Sequence, residues 1–433
     1  MEISQKNRKR LEGIAFLTKV ALSATTFLLL VGAVSQAQTF TVLYHFTGNG
    51  SNGAPFQPYN GLALSPGGNL YGTTLKGGTY ENGTAFELKH AGSAWLLNLL
   101  YNFQGGTDGA SPIAGLAIAS NGALYGTTPT GGGLPCGLAG GCGTVYSLRP
   151  PARAVASAQT PWTETVLYRF QGGTDGAAPQ FGRLDIDSDG NLYGTTQYGG
   201  DVQDCGSAGC GTVYELLPLP GGGWLESVLH RFDGSNSEGS QPLGGIIHDQ
   251  YNDLYGVTSA GKETFFDLQP GGGGYWTFYQ VDQFTSNIGC DIDTSLLLDP
   301  NTFNFYGVAQ GCGPSGSGAG GAVFVWFYGF DPGYNFGLTR EPTTAPEGPL
   351  IEDSAGNLYG VSFNGGAHGQ GAVYKLTPTR DGFSYSSLHD FTGGTDGAGP
   401  VGNLVMDADG NLYGVASGGG SQFAGVIFEI TGN

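Results

Sequence analysis

Three copies of Gly-Gly-Thr-Asp-Gly set Asp108, Asp175 and Asp396 at matching points of the chain, and Asn52 and Glu238 fall at roughly matching points in two other units. Carboxylates that recur in this way could ligate calcium or orient the hydroxyls of a sugar. They could equally be Asp-Gly turns that supply backbone geometry. Repetition favours the turn, because a structural position recurs in unit after unit while a catalytic one need not. Ordinary glycoside hydrolysis would need two carboxylates about 5–9.5 Å apart across a cleft. His368 sits in a loop, where it could act as acid or base. A lone loop histidine without a local partner is more often simply solvated. The sequence holds no nucleophile elbow, no phosphate-cradling glycine loop and no metal-binding histidine pair.

Six cysteines complete the set. Cys136 and Cys142 flank one glycine-rich loop, Cys205 and Cys210 flank the corresponding loop one unit later, and Cys290 and Cys312 remain to pair with each other. No histidine lies beside these pairs and no C-x-x-C occurs, so three disulfides are expected rather than a zinc site. No cofactor is expected, with calcium the one candidate. Asp185-Ile186-Asp187-Ser188-Asp189-Gly190 has the D-x-D-x-D-G form that opens a calcium loop, but Thr196 stands where the bidentate glutamate belongs. A turn capped by aspartate is the stronger reading.

The elements that must position these residues follow a repeated phrase. Asn-Leu-Tyr-Gly-Thr-Thr or a close variant occurs seven times, with tyrosines at Tyr71, Tyr125, Tyr193, Tyr255, Tyr306, Tyr359 and Tyr413. A period of this size signals a repeat array. The 81 glycines are too many for helices, where each costs roughly 1 kcal/mol against alanine. A hydrophobic fraction of 39% with 12% aromatics is too apolar for disorder. The third unit shows four short runs rich in β-branched and aromatic residues, at 182–187, 191–196, 211–216 and 224–232, bounded by turn formers. They read as one antiparallel four-stranded blade. The tight turn between its first two strands recurs as Asp187-Ser188-Asp189-Gly190, Asp353-Ser354-Ala355-Gly356 and Asp407-Ala408-Asp409-Gly410.

Thr41 to Phe46 matches a fourth strand, and Gly425 to Ile430 a third. The N-terminal strand is therefore predicted to complete the last blade and close a ring without an exposed edge. The expected fold is all-β, a seven-bladed β-propeller over residues 38–433, with a weakly marked outer strand around Tyr334 to Leu338. The glycine of the repeated phrase is expected to lie under a large ring from the next blade. Longer loops such as 129–143 and 197–211 should share one face with the blade-joining loops. That face and the channel mouth are where a ligand is expected.

The phrases Asn-Leu-Tyr-Gly-Thr-Thr, Gly-Thr-Val-Tyr-Glu-Leu and Val-Leu-Tyr-Arg-Phe-Gln-Gly-Gly-Thr-Asp-Gly together resemble the GloVer tandem repeat, found in exported bacterial proteins grouped as choice-of-anchor. The resemblance spans about residues 39–433. It implies an exported, propeller-like repeat protein and brings no catalytic residues with it.

Residues 1–37 read as an export signal: Lys6, Arg8, Lys9 and Arg10 precede an apolar stretch from Val20 to Val34, and Ser35-Gln36-Ala37 offers a cleavage site. No second apolar span follows. The formal charge is −19, and removing a segment of five basic and two acidic residues leaves −22. Such a surface repels nucleic acid and anionic lipid heads. The expectation is a monomer in the periplasm or outside the cell, binding or scaffolding extracellular polysaccharide or another envelope protein. A glycan hydrolase or lyase is the alternative.

Overall fold

The computed structural model describes residues 38–432 apart from 49–55, 134–135, 152–161, 202–204, 236, 285–290, 293, 312–319, 328–342 and 381. Almost all regular structure is β. In blade 3, the strands Asp185–Ile186, Leu192–Thr196, Thr212–Pro218 and Trp224–Arg231 run antiparallel in sequence order from the axis outward. Six blades have four described strands and blade 5 has three, Leu297–Leu298, Phe305–Ala309 and Ala322–Trp326. The outer strand expected around Tyr334 to Leu338 lies outside the described residues.

Seven hydrophobic clusters fill the seven seams, each built from two consecutive blades, and the last joins blade 7 to blade 1. The seams thus close a ring. Thr39–His45 pairs antiparallel with Val426–Thr431, placing Val42 opposite Phe428 and Tyr44 opposite Ile427. The last blade therefore takes its outer strand from the N-terminal side, as the sequence predicts, and both ends of the array are covered.

The repeated phrase has two structural jobs. Its aspartate locks the tight turn. Asp187 Oδ1 accepts the N–H groups of Asp189 and Asn191 at 2.9 Å each, while Oδ2 accepts the Asn191 amide at 2.7 Å and the Tyr193 hydroxyl at 3.2 Å. The same bonds recur around Asp353 and Asp407. Its glycine accommodates a ring, though not the one expected. Gly194 pairs directly with Tyr214 in the next strand of its own blade, and a Cβ on Gly194 would stand 2.5 Å from the Tyr214 hydroxyl. The covering ring comes from the same sheet because a directly paired cross-strand residue shares its face.

A second stitch joins successive blades. Gly211, just before the third strand of blade 3, has φ +98 and packs against the ring of Pro242 in blade 4, while Gln241 donates its N–H to the Cys210 carbonyl at 2.7 Å. The glycine–proline contact recurs at Gly83 and Pro112, Gly143 and Pro179, Gly321 and Pro346, Gly371 and Pro400, and Gly425 and Pro58.

The inner strands depart from expectation in length. Blade 3 keeps only Asp185–Ile186 in register with its neighbour, where 182–187 was predicted. The reason is local. At Gly182 the backbone leaves its own sheet to meet Gly245 of blade 4, where a Cβ would be 2.4 Å from Gly245 Cα. Inner strands in blades 1, 6 and 7 stay longer but bulge at the same level.

Candidate functional site: the central channel

The inner strands of all seven blades enclose a cavity of about 1020 Å³ on the propeller axis. At the inner-strand position following the buried Leu or Ile, six blades carry apolar residues: Ala63, Ala117, Ile247, Leu297, Ile351 and Val405. Blade 3 carries Asp185 there. Its Oδ2 accepts the His248 backbone N–H at 2.9 Å and also contacts His248 Nδ1. That side-chain bond raises the His248 pKa above its ordinary value, against the opposing effect of burial.

Nearer the long-loop end stands Arg183. Among the described residues it forms no hydrogen bond or ion pair. Its side chain is wetted by the cavity and yet surrounded by the propeller on all sides, so lost hydration lowers its pKa while Asp185 opposes the shift. Blades 3 and 4 thus bring Arg183, Asp185 and His248 together at the level where the other blades carry the apolar residues above, while Asn60, Ser295, Gln310, Glu347 and Asn403 add polar groups elsewhere around the bore.

The long-loop end of the bore is drawn in. Tyr59 stacks against Phe181 with centroids 6.2 Å apart, and the Asn60 amide donates to the Phe181 carbonyl. Blades 1 and 3 therefore meet in front of blade 2. Gly115 allows it, because a Cβ there would stand 3.3 Å from the Asn60 carbonyl and 3.6 Å from Arg183 Cβ. On the other flank of blade 1 the backbone of Gly402 lies against both Gly348 and Gly61. The tight-turn end is lined by Asp249, Gln250 and Pro300.

The acidic residues singled out from the sequence lie elsewhere, each in a different blade seam. Asp108 accepts the Gln104 N–H at 2.7 Å and the Tyr101 hydroxyl at 3.2 Å. Asp175 accepts the Gln171 N–H at 2.8 Å and the Tyr168 hydroxyl at 3.1 Å. Asp396 accepts the Thr392 N–H at 2.8 Å and faces His389 Nε2 at 3.2 Å. Glu238 faces His230 Nε2 at 3.1 Å and accepts the Asp233 N–H at 3.2 Å. Each is a loop lock between an outer strand and the next blade. His368 is exposed on the second-to-third-strand loop of blade 6. It is close enough for its charge to lower the pKa of His389, after burial and against Asp396.

What the structure sets beside Asp108 and Asp175 is a glutamate from the next outer strand. Burial, then the neighbouring aspartate, pushes Glu164 and Glu226 each up to about 7. The disulfides Cys136–Cys142 and Cys205–Cys210 are both formed. Cys290 and Cys312 lie outside the described residues. No helix among the described residues is long and apolar enough to cross a membrane.

The channel residues Arg183, Asp185 and His248 were not among the expected site residues. Of those expected, Asp108, Asp175, Asp396 and Glu238 hold positions the repeats share and His368 is a lone loop histidine, whereas Asp185 is marked by being the one charged residue at a position six siblings keep apolar.

Fold and cavity together define a closed β-propeller built from one repeat, with an axial ligand-sized chamber. The chain matches the Gloeobacter/Verrucomicrobia repeat over residues 30–205 and 333–433, and it belongs to that family. No curated protein matches it. Among solved structures, one named for an oxidoreductase (glucose dehydrogenase) of Thermus thermophilus is similar at 16% identity and TM-score 0.44, covering 91% of this chain and 99% of that one. One named for a 6-phosphogluconolactonase of Bacteroides uniformis is similar at 12% identity and TM-score 0.45, covering 83% and 89%. A gluconolactonase of Xanthomonas campestris is similar at 11% identity and TM-score 0.37, covering 91% and 89%. Likeness at this level bears no inference about activity.

Proposed function

We propose that this protein is an exported, non-catalytic carbohydrate-binding propeller whose ligand occupies the central channel. The observation that carries the reading is the two-sided cavity. At the level of Asp185 the groups Arg183, Asp185 and His248 offer donors and an acceptor on one side, and Leu297, Ile351 and Val405 offer an apolar surface elsewhere around the bore. A sugar ring presents the same duality, with hydroxyls at its rim and C–H groups on its faces. The basic-then-apolar leader and the disulfides support export. The loop carboxylates Asp108, Asp175, Asp396 and Glu238 support binding over hydrolysis, since each already accepts bonds from its own loop.

A second reading, a glycan-active hydrolase or lyase, draws on one observation. Glu164 beside Asp108 and Glu226 beside Asp175 are carboxyl pairs in which the glutamate is pushed up to about 7, as acid–base pairs require. Their occurrence in two successive seams favours a structural role.

A glycan array of the mature chain, run beside polysaccharide-release assays, tests both. Binding without release supports the channel reading, and Asp185→Asn should then weaken binding about tenfold. Release abolished by Glu164→Gln would replace it with the enzymatic one. Neither binding nor release would overturn both.

A further inference from the structure

We infer that the channel takes the terminus of a neutral glycan chain, entering from the tight-turn end, rather than a stretch of mid-chain. The inference rests on the carbohydrate reading above and adds direction, charge and mode. Direction comes from the bore. At the long-loop end Tyr59, Asn60 and Phe181 bridge blades 1 and 3, and Gly348, Gly402 and Gly61 bring blades 6, 7 and 1 into backbone contact. A polymer cannot thread a channel narrowed in this way, but a chain end can seat in it.

Charge comes from the turns. Asp187, Asp249, Asp299, Asp353 and Asp407 stand in the first-to-second-strand turns of five blades, around the end the ligand enters. This ring of carboxylates opposes a polyanion such as a polyuronate.

Mode comes from the polar wall. Asp185 uses Oδ2 for both His248 contacts, so among the described residues Oδ1 takes no bond. Arg183, toward the long-loop end, spends none of its guanidinium donors among the described residues. A donor fork above a carboxylate oxygen suits adjacent hydroxyls of one terminal sugar, with Ile351 and Val405 among the residues of the facing wall.

The test is calorimetric titration of the mature protein with linear gluco-, xylo- and manno-oligosaccharides of about four to eight sugars. Each is used as the free sugar, as the alditol reduced at one end, and with the other end blocked, beside cyclic glucans of matched linkage and linear oligouronates of the same lengths. The expected result is binding of a linear series, a loss of about tenfold or more on modifying one particular end, and no binding of the cyclic form. Arg183→Ala should lose about tenfold at an unchanged melting temperature, with partial recovery in Arg183→Lys. Equal binding of cyclic and linear sugars, or of chains modified at both ends, would overturn the terminus assignment while leaving the carbohydrate reading intact. Preference for oligouronates would overturn the neutral assignment. Failure of every sugar to bind would remove the carbohydrate reading itself.

Discussion

Glu164 lies two residues along the outer strand from Val166, the direct cross-strand partner of Tyr146, so Glu164 and Tyr146 are diagonal neighbours on one face of blade 2. The same diagonal joins Tyr214 to Glu226 in blade 3 and Tyr374 to Tyr385 in blade 6. In the three blades with a described outer strand where the third-strand ring is phenylalanine, the diagonal partner is apolar: Phe86 with Leu97, Phe266 with Phe278, and Phe428 with Phe40. Each of these six blade faces is thus polar or apolar as a unit, which is how diagonal pairs across strands stabilise a sheet. The polar faces carry the cost, since the Tyr146 hydroxyl and Glu164 Oε1 are buried without a hydrogen-bond partner among the described residues.

That cost makes stability depend on pH. Glu164 has an ordinary pKa of 4.5 and is pushed up to about 7 in the fold, first by burial and then by Asp108. The native state therefore holds a proton that the unfolded chain has lost between those values. The contribution is present in full below pH 4.5 and is lost as pH rises through 7. Glu164→Gln should raise the melting temperature at pH 8 by roughly 2 °C and leave it unchanged at pH 5. An equal shift at both values would show that the carboxyl is not titrating.

Gly194 should not tolerate a side chain. Leucine there would drive Cβ to within 2.5 Å of the Tyr214 hydroxyl and 3.0 Å of Leu184 Cδ2. A loss of about 3 kcal/mol is expected for Gly194→Leu by denaturant unfolding. Tyr214→Phe on the parent background should cost nothing or gain slightly, because its buried hydroxyl has no partner.

How much of this was legible in the sequence divides along one line. Whatever the repeats share could be read from them: seven Tyr-Gly phrases, the Asp-capped turn and the matching of Thr41–Phe46 to an outer strand led directly to the ring. The shared carboxylates Asp108, Asp175 and Asp396 were equally visible, and their hydrogen bonds are those of loop locks. What copies share, however, is architecture. Asp185 drew attention only as the first residue of a calcium-like turn, and Arg183 and His248 were not read as a site, because each lies where the repeat breaks its own pattern, and only the packing of neighbouring blades brings residues 63 positions apart to one carboxylate oxygen. The ring over Gly194 was misplaced for a similar reason: a sequence shows that a glycine recurs, not which neighbour occupies the space.

The turn lock should be sensitive to acid in the opposite sense to the polar faces. Burial pushes Asp407 up, but the bonds from Asn411, Tyr413 and Asp409 together hold its carboxyl below the ordinary 3.8. A depressed pKa contributes stability above the unfolded value that is lost as pH falls through the folded one. Asp407→Ala should cost about 1–2 kcal/mol at pH 7. The difference from the parent should shrink below about pH 3. A cost that did not vary with pH would place the loss in packing rather than charge.

The glycine–proline stitch gives the sharpest test of what holds neighbouring blades together, because the fold contains its own control. Gly211 and Gly221 have nearly the same left-handed backbone, φ +98 and φ +94. Alanine is therefore strained at both, by roughly 1 kcal/mol in backbone terms. Their surroundings differ. Around Gly221 nothing lies within 4 Å of an added Cβ, whereas at Gly211 that atom would be 2.5 Å from Pro242 Cδ and 2.6 Å from the Thr196 carbonyl. Neither neighbour can yield, since one belongs to a rigid ring and the other to the paired strand. Gly221→Ala should lose about 1 kcal/mol and Gly211→Ala roughly 2–4 kcal/mol. Adding Pro242→Ala to Gly211→Ala should recover part of the difference, because it removes the ring that the new methyl strikes. Without such recovery, the close approach of blades 3 and 4 would not depend on that contact, and the five sibling stitches would lose their rationale with it.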